Sequence, residues 1–216
     1  MGLGILERVV CSLALTVAAG TASPILLQGT FPADDGVALF QFTLSTPGIV
    51  TVQSYGYAGG VANATTIPAG GFAPDVTIFS QLGSDFVESI SDNGGHCGIT
   101  QTDPVTGNCD DPYIQTTFAA GTYYLALSVY DNLPVDGFLA DGFKQVGNPG
   151  FTCAEGGLSG QFCDVTDALF RPRTGNWTFT IDGATTITSV TTPEPSMEWL
   201  IPAAGLLGIL WRRKFC

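Results

Sequence analysis

The stretch Gly121–Tyr130, GTYYLALSVY, decides the fold. Aromatic and β-branched residues in a period-two pattern argue for a strand, and Gly121 in AAGTYY offers the tight turn that launches it as a central one. Six similar runs flank it: VALFQFTLS (37–45), GIVTVQSYGY (48–57), DVTIFS (75–80), YIQTTF (113–118), NWTFTI (176–181) and TTITSV (185–190). Turn clusters separate them, STPGIV supplies a hairpin turn at Pro47 and Gly48, and helical periodicity is absent outside the termini. The expectation is an all-β domain over 23–190, a β-sandwich or jelly roll, flanked by an N-terminal signal helix and a short C-terminal transmembrane helix.

The two ends differ from this middle. The first 24 residues, MGLGILERVVCSLALTVAAGTASP, place Arg8 before an apolar stretch from Val9 to Ala19 and then small residues, the layout of a secretory signal peptide cut after Ala22. Cys11 stands too early, and after the wrong neighbour, for a lipoprotein cysteine. At the other end, TTPEPSMEWLIPAAGLLGILWRRKFC (191–216) joins a Pro-Glu-Pro turn to an apolar segment, Met197–Trp211, and a basic triplet. About 20 residues normally span a bilayer, so this segment would depend on snorkelling by Arg212, Arg213 and Lys214. The triplet marks the cytoplasmic side as a stop-transfer signal, which leaves the body outside the cytoplasm. Pro202 and Glu198 suit a tag that is held briefly and cut better than a permanent anchor.

Export also explains the cysteines. With Cys11 leaving in the signal and Cys216 lying beyond the basic triplet, Cys97, Cys109, Cys153 and Cys163 remain, an even set that reads as two disulfides. Three pairings are possible; the local ones, Cys97 with Cys109 and Cys153 with Cys163, are favoured because each closes a Gly-rich loop, at roughly 2–3 kcal/mol apiece. Seventeen of the 19 acidic residues lie between Pro24 and Pro195, against only Lys144, Arg171 and Arg173. Such a surface repels phosphate backbones, so no nucleic-acid partner is expected.

Calcium is the metal that this loop chemistry would suit, since Ca²⁺ gathers six to eight oxygens from carboxylates, amides and carbonyls. Candidate ligands are Asp75 after GGFAP, Asp92 and Asn93 in SDNGG, Asp110 and Asp111 in NCDDP, and Asp131 after the central strand, with Asp34, Asp35 and Asn132 in similar loops. The carboxylates of Asp92, Asp110 and Asp111 would converge if SDNGG and NCDDP share one end of the sandwich. The same residues are good turn formers, and no D-x-D-x-D-G loop distinguishes the two readings. Tyr55, Tyr57, Tyr113, Tyr130 and Trp177 could form a stacking platform for sugars, or pack between strands. A hydrolase finds less support. His96 is the single histidine and sits beside Cys97, no G-x-S-x-G elbow occurs, and a zinc site from His96, Cys97, Cys109 and Asp110 competes with a disulfide. The sequons at Asn63 and Asn176 leave this unchanged.

PEPS at Pro193–Ser196, the apolar segment and RRK together resemble the PEP-CTERM sorting signal. The resemblance implies that Pro193, Glu194 and Pro195 are read by an exosortase, a membrane-embedded, cysteine transpeptidase-like enzyme that removes the tail. ISDNGG and DDPYIQTTFAAGTYYLALSVYDN resemble the second half of the prepeptidase C-terminal type domain. SYGYAGG, GGFAPDVTIF, DGF and RTGNW resemble uncharacterised secreted domains that often carry such tails. The expected protein is therefore a non-enzymatic exported module of a Gram-negative bacterium, passing through the inner membrane to the cell surface or extracellular matrix, with exopolysaccharide as a possible partner. A calcium-dependent carbohydrate-binding or adhesion module, and then a secreted hydrolase, are the alternatives.

Overall fold

The structure is a computed structural model that describes residues 23–190. The signal segment and the sorting tail, with the helices expected there, lie outside the described residues. Eleven strands form: β1 Ile25–Thr30, β2 Val37–Leu44, β3 Gly48–Ser54, β4 Gly60–Ala62, β5 Thr65–Ile67, β6 Pro74–Leu82, β7 Asp85–Asp92, β8 Tyr113–Phe118, β9 Gly121–Val129, β10 Asn176–Asp182 and β11 Thr186–Val190. A 3₁₀ turn, Leu139–Asp141, and a short helix α1, Phe151–Glu155, interrupt the loop between β9 and β10. Among the described residues no helix is long and apolar enough to cross a membrane.

All strand pairs are antiparallel. One sheet has the order β1-β10-β3-β8, the other β11-β2-β9-β6-β7, and β4 and β5 form a separate hairpin. GTYYLALSVY is the central strand of the five-stranded sheet, as its pattern predicts. The alternate residues Tyr123, Leu125 and Leu127 face inward with Phe40, Phe42, Val76 and Ile78, and meet Val50, Val52, Ile114, Phe179 and Ile181 of the other sheet in one buried cluster. Each such side chain is worth roughly 1.5–3 kcal/mol when fully buried, and this shared layer holds the two sheets face to face.

The chain does not make the in-plane hairpin expected at Pro47 and Gly48. β2 pairs with β9 and β11, whereas β3 pairs with β8 and β10, so Ser45–Pro47 carries the chain from one sheet to the other. The turn at Gly121 does the same between β8 and β9, and Gly183 does it between β10 and β11. These three crossings lie side by side, because β10, β3 and β8 are neighbours in one sheet and β11, β2 and β9 in the other. They are laced together: Thr185 N–H donates to the Thr43 carbonyl at 2.8 Å, Ser45 N–H donates to Thr185 Oγ1 at 3.1 Å, and the Thr43 and Thr186 hydroxyls lie 2.7 Å apart. The physical reason is burial. Both β2 and β3 present an apolar face, and stacking those faces hides them from water in a way that side-by-side pairing in one sheet would not.

With these three short crossings at one end, the longer connections, 31–36, 55–73, 93–112 and 130–175, each of which also leads from one sheet to the other, gather at the opposite end. β1, β4, β5 and β7 add to the seven expected strands. β1 lacks alternation, β4 and β5 have three residues each, and β7 carries Asp85, Glu88 and Asp92 on an edge of its sheet, where charge guards against pairing with other chains.

Candidate functional site

The gathered loops are fastened by the residues most able to do chemistry. Both expected disulfides form, Cys97–Cys109 across 12 residues and Cys153–Cys163 across 10. Beneath them lies a charge cluster. Arg173 donates to Asp164 Oδ2 through Nε at 2.9 Å and Nη2 at 2.6 Å, and to Asp103 Oδ2 through Nη1 at 3.0 Å. Its guanidinium carbon stands 4.1 Å from the ring centroid of Tyr57, whose hydroxyl donates to Asp164 at 2.8 Å. Asp103 also accepts from the Val105 and Thr106 amides.

These contacts fix the ionisation states. Burial raises the Asp103 carboxyl, but the Arg173 guanidinium and the Thr106 and Val105 amides outweigh it and hold the group below the usual carboxylate range. Burial pushes Tyr57 well above an ordinary phenol. Arg173 is lowered by burial and raised further by Asp103 and Asp164, so it stays charged. Neither Asp103, Tyr57 nor Arg173 is poised to exchange a proton near neutrality, and what the cluster does is join three loops, 55–73, 93–112 and 130–175.

The proposed calcium ligands are spread across the loop end. SDNGG and NCDDP do lie side by side, with Gly95 N–H donating to the Cys109 carbonyl at 2.7 Å, but their carboxylates turn apart. Asp111 points inward and accepts from Ser54 Oγ, Tyr57 N–H and Ala58 N–H, and its burial raises the carboxyl. Asp92 accepts from the Gly94 and Tyr113 amides and lies 2.6 Å from His96 Nε2. Asp110 meets the Thr166 hydroxyl at 2.5 Å. Asn93 and Asp131 are exposed, Asp131 in a left-handed turn at φ 74°. Asp34 anchors the start of α1 by accepting from Gly150 N–H, Thr152 N–H and the Thr152 hydroxyl. Asp35 accepts from Gly147 N–H, and Asn132 bridges the Asp35 carbonyl and Gln145 N–H. Among the described residues no group of three or more His, Cys, Asp or Glu side chains could hold a metal ion.

Asp75 stands apart on the outer face of the five-stranded sheet, 3 % exposed. Thr77 Oγ1 donates to it at 2.9 Å, and its cross-strand neighbour Ser128 has a buried hydroxyl with no partner among the described residues. Burial, with Glu88 and Asp92 adding to it, pushes the carboxyl up to about 7.

Of the aromatics named for sugar stacking, Tyr57 is fully buried beneath Arg173, so it forms no platform. Tyr55, Tyr113, Tyr130 and Trp177 are half-buried. Trp177 packs against Phe31, Phe40 and Phe179, and it also lines a groove of about 290 Å³ between β1, β10 and the 67–71 loop. Sequence reasoning names neither this groove nor the Arg173 cluster. The cluster had a signal: Arg173 is one of three cations among seventeen acids, and a cation so outnumbered finds carboxylates.

A scan against family models matches residues 191–214 to the PEP-CTERM protein-sorting motif. The tail thus carries the signal of an exported protein sorted by an exosortase, and Pro193, Glu194 and Pro195 fall within it, as do Arg212, Arg213 and Lys214. No curated protein and no solved structure matches the chain.

Proposed function

We propose that the mature protein is a non-catalytic component of the cell surface or extracellular polymer matrix of a Gram-negative bacterium, held together to survive outside the cell. The observation that carries this reading is how the loop-end ionisable groups are used. Asp34, Asp103, Asp111, Asp164 and Arg173 each spend their polar atoms on other parts of the same chain. A module built this way, stapled twice and exported under a sorting signal, is suited to persist and display a surface.

Fractionation of host cultures into cells, polymer matrix and free medium tests the proposal. The mature protein is expected mainly in the matrix, and enzymatic digestion of the host polysaccharide is expected to release it. Recovery chiefly as free protein in the medium would overturn the matrix assignment.

A further inference from the structure

We infer that the groove between β1, β10 and the 67–71 loop is a binding site for a neutral sugar residue of a polysaccharide chain. The inference deepens the matrix reading above by naming what the surface would hold. At about 290 Å³ the groove is near the lower limit of small-molecule pockets, the scale of one sugar ring. Its lining contains no charged residue.

The polar side chains of the lining have unspent hydrogen-bonding capacity. Gln28 Nε2 donates to Thr178 Oγ1 at 3.3 Å, which leaves Gln28 Oε1 free to accept and the Thr178 hydroxyl proton free to donate. Asn176 Oδ1 accepts from Thr30 Oγ1 at 2.8 Å, which leaves its Nδ2 free to donate. Thr174 Oγ1 donates to the Gly70 carbonyl at 3.1 Å and keeps its lone pairs. The groove therefore offers two donors and two acceptors, none charged. Sugar hydroxyls both donate and accept, so a neutral mixed set matches them; an anion would call for donors alone and a cation for acceptors alone. Ile67, Pro68 and Ala69 supply an apolar portion against which the C–H face of a ring can lie.

The test is calorimetric titration of the purified processed protein with three- to six-residue oligosaccharides of glucose, of galactose and of mannose, and with an oligouronate of equal length as the charged control. At least one neutral oligosaccharide is expected to bind saturably, with a dissociation constant of about 1 mM or tighter. Ala69→Trp, which fills the groove from an exposed position, is expected to weaken that binding about tenfold or more. Gln28→Ala and Asn176→Ala are expected to weaken it with unchanged melting temperature, and they serve if the tryptophan variant does not fold. The inference is overturned if no neutral oligosaccharide binds at about 10 mM, if the oligouronate binds tighter, or if the groove variants bind as the parent does. Because these titrations use purified components, their failure leaves the location of the protein in the matrix untouched, and a protein found outside the matrix leaves the titration result standing.

Discussion

Arg173 is the residue on which the loop end most depends. Its side chain is 5 % exposed and lies between the carboxylates of Asp103 and Asp164, which are 1 % and 0 % exposed. Removing one partner of a buried ion pair leaves uncompensated charge, and here it leaves two. Arg173→Ala is expected to cost about 3–5 kcal/mol in urea unfolding. Arg173→Lys is expected to recover only part of it, because an ammonium cannot span both carboxylates and stack on Tyr57 as a planar guanidinium does. Asp75 acts in the opposite sense. Its folded carboxyl sits at about 7 against an ordinary 3.8, so the folded state holds the proton more tightly. The stability linked to that proton is fully present below about pH 4 and is lost as the pH rises towards 7, with a ceiling of ~4 kcal/mol. Asp75→Asn mimics the protonated form. Thermal melts should show the variant more stable than the parent at pH 8 and equal to it near pH 3.5. With Asp34, Asp92, Asp103, Asp110, Asp111 and Asp164 bound to protein donors, chelation is expected to leave the melting temperature unchanged, and a fall of several degrees would point to a bound cation. At this scale the sequence was a partial guide. It identified the carboxylates as special, but an Asp that caps a loop and an Asp that binds calcium are spelled alike, and only the direction of Asp111 into Ser54, Tyr57 and Ala58 separates them.

At the scale of elements, period-two patterning located seven strands, including the central one, because those strands bury alternate residues in the shared core. It passed over β7, although Gly83 and Ser84 between β6 and β7 are a two-residue hairpin signal, with Gly83 at φ 65°. The acidic side chains of β7 obscure its pattern. Turn chemistry was legible only in part. Pro47 and Gly48 reverse the chain as expected, but a turn signal does not say whether the next strand lies beside its predecessor or in the other sheet. Gly183 shows how demanding such a crossing is. Its φ is 86°, and a Cβ there would stand 2.1 Å from the Ile49 carbonyl oxygen. Gly183→Ala is expected to cost more than about 1 kcal/mol, since strain in φ and a backbone clash coincide. The disulfides were readable from spacing and compartment. Replacing Cys97 and Cys109 together by Ser is expected to lower stability by about 3 kcal/mol, measured by denaturant unfolding against the oxidised parent.

For the whole molecule, topology and the sorting tail bear on each other. β11 pairs Val190 with Leu39 near the start of β2, so the described chain ends at the same end of the sandwich as the long loops. Pro193 lies three residues further on, a reach of about 10 Å at full extension. An exosortase reading Pro193–Pro195 would therefore work within a short reach of the loop end. The deciding measurement is the intact mass of the protein from its native host, in inner-membrane, outer-surface and matrix fractions, for the parent and for a variant with Pro193, Glu194 and Pro195 replaced by alanine. A parent species lacking residues 1–22 and the tail from near Pro193 onward, recovered outside the inner membrane, is predicted, together with a variant that keeps its tail and stays in that membrane. A parent that retains every residue through Cys216 in the inner membrane, indistinguishable from the variant, would contradict sorting and make the tail a plain anchor.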